Sequence, residues 1–482
     1  MKKILILITS LIVLVALCAT SVFAEAISEE DIQIDKDGDN IKYTIDVETL
    51  FGSKAVAKVG DVEYEDLQEA IDAAPVGGTV TLLKDIAVES NLSNAAKGLF
   101  NINSDDDITL DLNGKTITVT DNSAGNFIVF YSYGNFTIKN GTVNLTSTID
   151  REWNAQSTII LNRGGNLVVE SGTYSHLGGT DMAITFDNSA NSFGDAYATI
   201  NGGEITSTYT AIRMRMANPD LNGNPGNGVS YLTINGGTIN GSSRGVWGQI
   251  TDASSKDMGA LDITGGTISG GNDAIRMTTD EHENIDVAIS GTAVIDGRIT
   301  GEAADFNITG GTFTTEIPLD LFADGFIATK NEDGTYGAKI IGASDIFTHF
   351  YGYSYYIDPN TNKASVAIGF DFKEDVFVSY CKGQGVETYD IGCAFGVETI
   401  SQTISFEVIE GYTSYKIFNA KISGINPEDE RHIKLNLAMA LYVQFGDGEK
   451  QYVAEKDGVI QFVTAENVPT ITFNSLKNSQ AN

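Results

Sequence analysis

The sequence predicts an all-β protein, a stacked parallel β-helix followed by a β-sandwich. Three observations carry that expectation. The first is a motif of two apolar residues two apart, a tight polar turn, and a third apolar residue five positions on. It is plainest in residues 231–240, YLTINGGTIN. Eight copies are read, anchored at Leu110/Leu112/Ile117, Phe136/Ile138/Val143, Leu167/Val169/Tyr174, Ala198/Ile200/Ile205, Leu232/Ile234/Ile239, Leu261/Ile263/Ile268, Val287/Ile289/Val294 and Phe306/Ile308/Phe313. The second is their spacing: second anchors recur every 19–34 residues, which suits one coil of a three-sided solenoid with loops of variable length. The third is a change in composition after Gly337, where the Gly-rich corners stop and longer alternating strands begin.

Side-chain alternation explains the motif. Residues two apart on a strand share a face, so Leu232 and Ile234 point inward while Thr233 points out. Gly236 and Gly237 turn the chain, and Ile239 returns to the inner side. One corner cannot bury three apolar side chains by itself; stacked copies can. A sandwich of hairpins would not hold one corner through so many copies.

Taken in order, Met1-Lys2-Lys3, an apolar run and Val22-Phe23-Ala24 read as a signal peptide over 1–24. Cys18 follows Leu17, which does not suit a lipid anchor. Residues 25–54 hold a β-hairpin, 31–47, around an Asp-Gly turn. Its D-x-D-G-D lacks the later Glu ligand of a calcium loop, so turn chemistry is the better reading. The β-helix is placed at 55–339. It opens with a strand over 55–62 and a short helix over 65–74, whose Leu67, Ala70, Ile71 and Ala74 share one face. That helix is placed to cap the first coil. Residues 340–482 offer strand candidates at 351–357, 365–372, 387–397, 401–408, 415–422, 433–445 and 451–455, an immunoglobulin-like sandwich by spacing. Tyr351, Tyr353, Tyr355 and Tyr356 suggest a sugar-stacking cluster, although alternation favours packing.

Charge narrows the function classes. The whole chain carries 64 acidic against 30 basic side chains, and removing the signal leaves 28 basic. That balance argues against nucleic acid and anionic membranes as partners. No cofactor is expected, although so acidic a chain would suit calcium. Cys381 and Cys393 remain after processing, either as one disulfide or, on the preferred reading, as free thiols. A monomer is expected.

The segment VAKVGDVEYEDLQEAIDAAPVGGTVTLLKDI, the INGGTI corners and the closing GGTF…FADGFIATKNEDGTY resemble secreted β-helix surface proteins of Gram-positive bacteria, within the pectin-lyase-like class. The resemblance covers about 55–339 and implies a right-handed helix. The class includes lyases, hydrolases, adhesins and stalks, so it implies no single activity. The C-terminal region is similar to β-sandwich modules that accompany such helices.

Catalytic signatures are incomplete. The vWiDH signature of the lyases is missing. Asn272-Asp273-Ala274-Ile275 is similar to one piece of the galacturonan hydrolase set, but the second acid, His-Gly and Arg-x-Lys are not there. His176, His282, His349 and His432 have no metal-ligand spacing and are expected at the surface. One constellation stands out. The segments 200–212, 234–246 and 263–275 keep one length, so Arg213, Trp247 and Arg276 should form one outward column and Arg215, Gln249 and Thr278 the next. Three strands about 4.8 Å apart span the length of a disaccharide. The insertions 217–229, 250–258 and 279–285 follow directly and could wall a groove. The expected function is therefore a secreted, adhesin-like binding protein, whose ligand is an extracellular glycan or host-surface molecule gripped by Arg213, Arg215, Trp247, Gln249 and Arg276. A lyase or hydrolase on acidic polysaccharide is the alternative, and a structural spacer the third reading. A solvated face with ion-paired arginines is the plain reading of the same column.

Overall fold

The computed structural model describes residues 32–37, 40–45, 54–91, 97–149, 157–179, 181–187, 195–216, 229–250, 259–279, 285–301, 304–397, 406–411, 416–426, 428–429 and 436–472. The expected signal peptide, the insertions 217–228, 251–258 and 280–284, and the turn of the first hairpin lie outside them. The hairpin itself pairs Ile32–Asp37 with Asn40–Ile45.

A right-handed parallel β-solenoid forms the core of the molecule, with three sheets wrapped around one apolar interior. One sheet has eight strands, from Phe100–Ile102 to Ile299–Gly301. The second has eleven and runs through Asp107–Asp111, Ser230–Ile234 and Ala304–Ile308. The third, also of eleven, runs through Thr116–Asp121, Thr238–Gly241 and Phe326–Lys330. Each coil passes from the second sheet through a glycine-containing corner, Asn-Gly-Gly at 201–203 and 235–237, to the third sheet and then to the eight-stranded one. Both ends switch to antiparallel pairing. At the start, Ala57–Val59 pairs with Val62–Tyr64 and with Gly78–Leu82. At the finish, Thr312–Phe313 pairs with Tyr336–Ile340, which pairs with Phe326–Lys330. The first strand is therefore shorter than expected, because the chain reverses at Gly60-Asp61 and forms a hairpin.

The corner needs glycine for two reasons. Gly203, Gly237 and Gly266 have φ of 91°, 87° and 79°, a region side chains resist. A Cβ on Gly237 would also lie 2.6 Å from the carbonyl oxygen of Gly203 below it. Backbone thus rests on backbone at this edge. Beside it runs an amide ladder: Asn201 Nδ2 donates to Glu170 Oε1 (3.0 Å), Asn235 Nδ2 to Asn201 Oδ1 (2.9 Å), and Thr264 Oγ1 to Asn235 Oδ1 (2.9 Å).

Inside, Ile200, Ile234 and Ile263 stack in register and are fully buried. Two of the eight repeats depart from the expected anchors. In the first, Ile108 and Leu110, not Leu110 and Leu112, stack under Phe136 and Ile138. Ile117 still meets Val143, so that corner is two residues longer and Leu112 is buried within it. In the seventh, Ile295 stacks on Ile268, while Val294 pairs with Thr267 and is only half-buried. His176 is a further correction. It is fully buried rather than solvated, because it lies two residues beyond the inward Tyr174 and shares its face. His349 is exposed, and His282 and His432 lie outside the described residues.

Helix Leu67–Ala73 starts at Asp66, whose side chain accepts from the Glu69 amide at 3.0 Å, and buries Leu67, Ala70 and Ile71 in the solenoid core. After residue 340 come two antiparallel sheets. One is ordered Phe347–Asp358, Lys363–Phe372, Lys416–Ile425, Phe406–Gly411. The other runs through Tyr389–Val397, Asn436–Phe445, Gln451–Lys456 and Val459–Val463. Between them lies a helix the strand pattern did not foresee, Glu374–Gly383, with Val376, Phe377, Tyr380 and Cys381 buried. Cys381 is a free thiol, and burial pushes its pKa up to about 11. The Cys393 side chain lies outside the described residues. Tyr353 packs edge-on against Phe350 (5.4 Å), as alternation favoured, while Tyr351 is exposed and donates to Asp371 Oδ1 at 2.9 Å. The side chains of Tyr355 and Tyr356 lie outside the described residues.

The C-terminal core reaches back onto the last coil. Leu319 and Ile327 pack against it, and Gly325 donates to Ser379 Oγ at 3.2 Å. Gly383 lies so close to Gly325 that an added Cβ would come within 2.5 Å of its Cα.

Ile234→Ala should destabilise the protein by about 2–5 kcal/mol in urea unfolding, the cost of a cavity in a packed ladder. A loss under about 0.5 kcal/mol would contradict the stacking. A fragment ending at Gly342 should keep its β circular dichroism, since the solenoid core closes on itself. Uncovering Leu319 and Ile327 should lower its melting temperature and let it bind a hydrophobic dye. Loss of the β signal would show that the C-terminal module is needed for folding.

Candidate functional site

The expected outward columns form on the eight-stranded sheet. Ile212, Val246 and Ile275 are paired in register and fully buried. One residue on, Arg213, Trp247 and Arg276 are neighbours across the strands, and two further on come Arg215, Gln249 and Thr278. The first column continues down the solenoid through Thr185, Leu161 and Tyr131.

Its lower part is not a solvated face. In Phe127–Ser132 and Ser157–Asn162 every residue is buried, inward and outward alike. Ile128, Tyr131 and Leu161 form a small apolar cluster of their own. Exposure rises only toward the upper coils. Arg213 is 8% exposed, whereas the side chains of Arg276 and Arg298 are 39% and 64% exposed.

Trp247 is the hub. The Arg213 and Arg244 guanidinium carbons lie 4.9 and 4.6 Å from its ring, and its Nε1 donates to Thr278 Oγ1 at 2.9 Å. Arg244 also donates to the Tyr209 hydroxyl at 2.8 Å and lies 5.3 Å from that ring. Arg213 donates to Gln249 Oε1 at 2.5 Å. Each cation–π contact contributes on the order of 0.5–2 kcal/mol, more where water is excluded. The ring expected between Arg213 and Arg276 is thus held by Arg213 and Arg244 instead. These guanidiniums compete with a sugar for the indole faces. Arg215 is half-buried beside Gln249.

Arg276 turns to Asp273, its Nη1 3.7 Å from Oδ2, while Arg298 Nε donates to Oδ1 at 2.8 Å. Asp273 is fully buried. The residue that resembled one piece of a hydrolase set is therefore the counter-ion that fixes two arginines. Sequence reasoning missed Tyr209 and Arg298. Tyr209 sits in the corner before its strand and Arg298 two coils from Trp247, so neither falls in the register that links the columns.

Among the described residues, no group of three or more His, Cys, Asp or Glu side chains is placed to hold a metal. No helix among them is long and apolar enough to cross a membrane. The chain matches no family model, no curated protein and no solved structure.

Asp273→Asn should cost about 1–3 kcal/mol in chemical denaturation, by removing the charge that two guanidiniums share. An unchanged midpoint would mean the carboxylate has no structural role.

Proposed function

We propose that this is a secreted or surface-held binding protein, and that the arginine-rich outer face of its eight-stranded sheet takes an anionic glycan. One observation carries the reading. The chain has eight arginines against 64 acidic side chains, yet Arg213, Arg215, Arg244, Arg276 and Arg298 gather on neighbouring rungs around Trp247. Arginine grips carboxylates through two parallel hydrogen bonds, and rungs about 4.8 Å apart repeat on the scale of a sugar chain.

In this reading the residues divide their work. Arg213, Trp247, Arg244 and Gln249 form a braced platform, which lowers the ordering cost of binding. Arg276 and Arg298, the more exposed pair, meet the ligand carboxylates, and Arg215 extends the cationic lane. Helix Leu67–Ala73 closes the first coil, and the two C-terminal sheets are a sandwich-like module that carries or spaces the solenoid. Export by residues 1–24 places the whole outside the cell. The acidic remainder of the surface weakens long-range attraction, so affinity rests on contacts within the lane.

Calorimetry with galacturonic acid oligomers tests this. The wild-type protein should bind them in a salt-sensitive way, and Arg276→Ala with Arg298→Ala should weaken binding by about tenfold or more, the worth of a lost bidentate contact. No binding by the wild type, or equal binding by the double variant, would overturn the proposal. Release of unsaturated uronides during the titration would instead establish a lyase.

A further inference from the structure

The second sheet stops at the strand Ala304–Ile308, and its open edge borders a cavity. In a parallel sheet, alternate residues of a strand aim their N–H and C=O at the neighbour on one side or the other. Thr309 N–H donates to the Ile289 carbonyl of the preceding coil, and the Ile308 carbonyl accepts from Ala323 N–H on the opposite side. Phe306 lies two residues before Ile308. Its N–H and C=O therefore aim at the open edge, away from Ile285–Ile289.

The chain supplies no strand to meet them. Ile308 pairs with Phe322 in the parallel sense, and the same register carried on would set Asp320 opposite Phe306. A strand continued that far would offer Phe306 the Leu321 N–H and the Leu319 C=O. Both are engaged elsewhere: Leu321 N–H donates to the Pro318 carbonyl at 3.2 Å, and the Leu319 carbonyl accepts from Phe322 N–H at 3.1 Å. These bonds close the 3₁₀ turn Leu319–Leu321, which takes the chain out of the sheet. Phe306 of the last strand and Asp320 and Phe322 of the turn segment all line a cavity of about 570 Å³. That size is within the range of ligand sites. Four of its ten lining residues are aspartates and none is basic, so its charge is single-signed.

We propose that this gap is a strand-accepting site, and that its partner is an extended basic segment of another protein. The Phe306 backbone supplies the main-chain pairing that strand addition uses. Residues two apart on the incoming strand share a face. One set turns outward, toward Asp286 and Asp305, which are exposed and adjacent in register on the outer face, with Asp320 and Asp324 also exposed at the rim. The other set turns inward onto Phe306 and Phe322, where the solenoid core ends. The site thus selects a segment in which lysine or arginine alternates with an apolar residue. A second copy of the chain fits poorly. Its five-residue parallel edge at the other end of the solenoid, Ile86–Ser90, carries Glu89 exposed and no basic residue.

The test uses the full chain and a fluorescein-labelled Lys-Val-Lys-Val-Lys-Val peptide, read by anisotropy. The wild-type protein should bind it in a salt-sensitive way, and the same peptide with glutamate for lysine should not bind. Asp320→Asn with Asp324→Asn should weaken binding by about tenfold or more. The melting temperature should not change, since both carboxylates are exposed. Methylating every backbone nitrogen of the peptide keeps its charge and removes its N–H donors, and should also weaken binding by about tenfold or more. Arg276→Ala with Arg298→Ala should leave peptide binding unchanged, so this site and the arginine lane stand or fall separately. The proposal is overturned if the wild type does not bind the peptide, if the methylated peptide binds equally well, or if the aspartate double variant binds as the wild type does. Self-association of the wild type that the peptide dissolves would assign the gap to a second copy and overturn the foreign partner.

Discussion

Everything in the solenoid depends on the closeness with which one corner can sit on the next. At the Asn-Gly-Gly turns the peptide of one coil lies on the peptide of the coil below, with no space for a Cβ between Gly237 and Gly203. This contact sets the axial rise at the corner, and the hydrogen bonds of the three sheets hold it elsewhere. Once the rise is fixed, each residue has one neighbour above and one below. The isoleucine ladders, the Asn201–Asn235–Thr264 ladder and the Tyr197–Tyr231 stack all follow from that single spacing.

Because rows of like residues arise from the repeat, chemical character can be assigned face by face. Arginines gather on the eight-stranded sheet, while tyrosines and aspartates gather on the second. The two surfaces share a backbone core but no side chain. A solenoid can thus give each face a chemistry of its own, which a compact fold has less room to do.

Much of this was legible in the sequence. The period of the corners gave the architecture, and counting twelve residues from Ile200, Ile234 and Ile263 placed Ile212, Val246 and Ile275 in one row. The same counting failed where a corner changed length. Leu110 reads as a first anchor because Leu112 mimics the second, and Val294 because Ile295 is equally apolar. His176 was recoverable, since parity with Tyr174 places it inside; its polarity argued the other way. The near-complete burial of Arg213 was not recoverable, because strand parity reports which side a residue faces and not what covers that side. Nor was the Arg244–Trp247 contact, which crosses from the corner into the strand. Helix Glu374–Gly383 has a short apolar stripe that a single strand could equally show.

The antiparallel hairpins at the two ends have a consequence for how the molecule lives at high concentration. A parallel stack is a growing crystal in one dimension: its last coil offers the next one a complete template. Here Val62–Tyr64 leaves only three residues at the first edge, and Phe326–Lys330 packs against helix Glu374–Gly383 at the other. The eight-stranded sheet tapers to three residues at both Phe100–Ile102 and Ile299–Gly301. At these edges strand direction, length and cover work against end-to-end pairing, while Ile86–Ser90 and Ala304–Ile308 remain five-residue parallel edges. The stack thus carries its own stops, a boundary written into the chain at both ends rather than left to chance encounter.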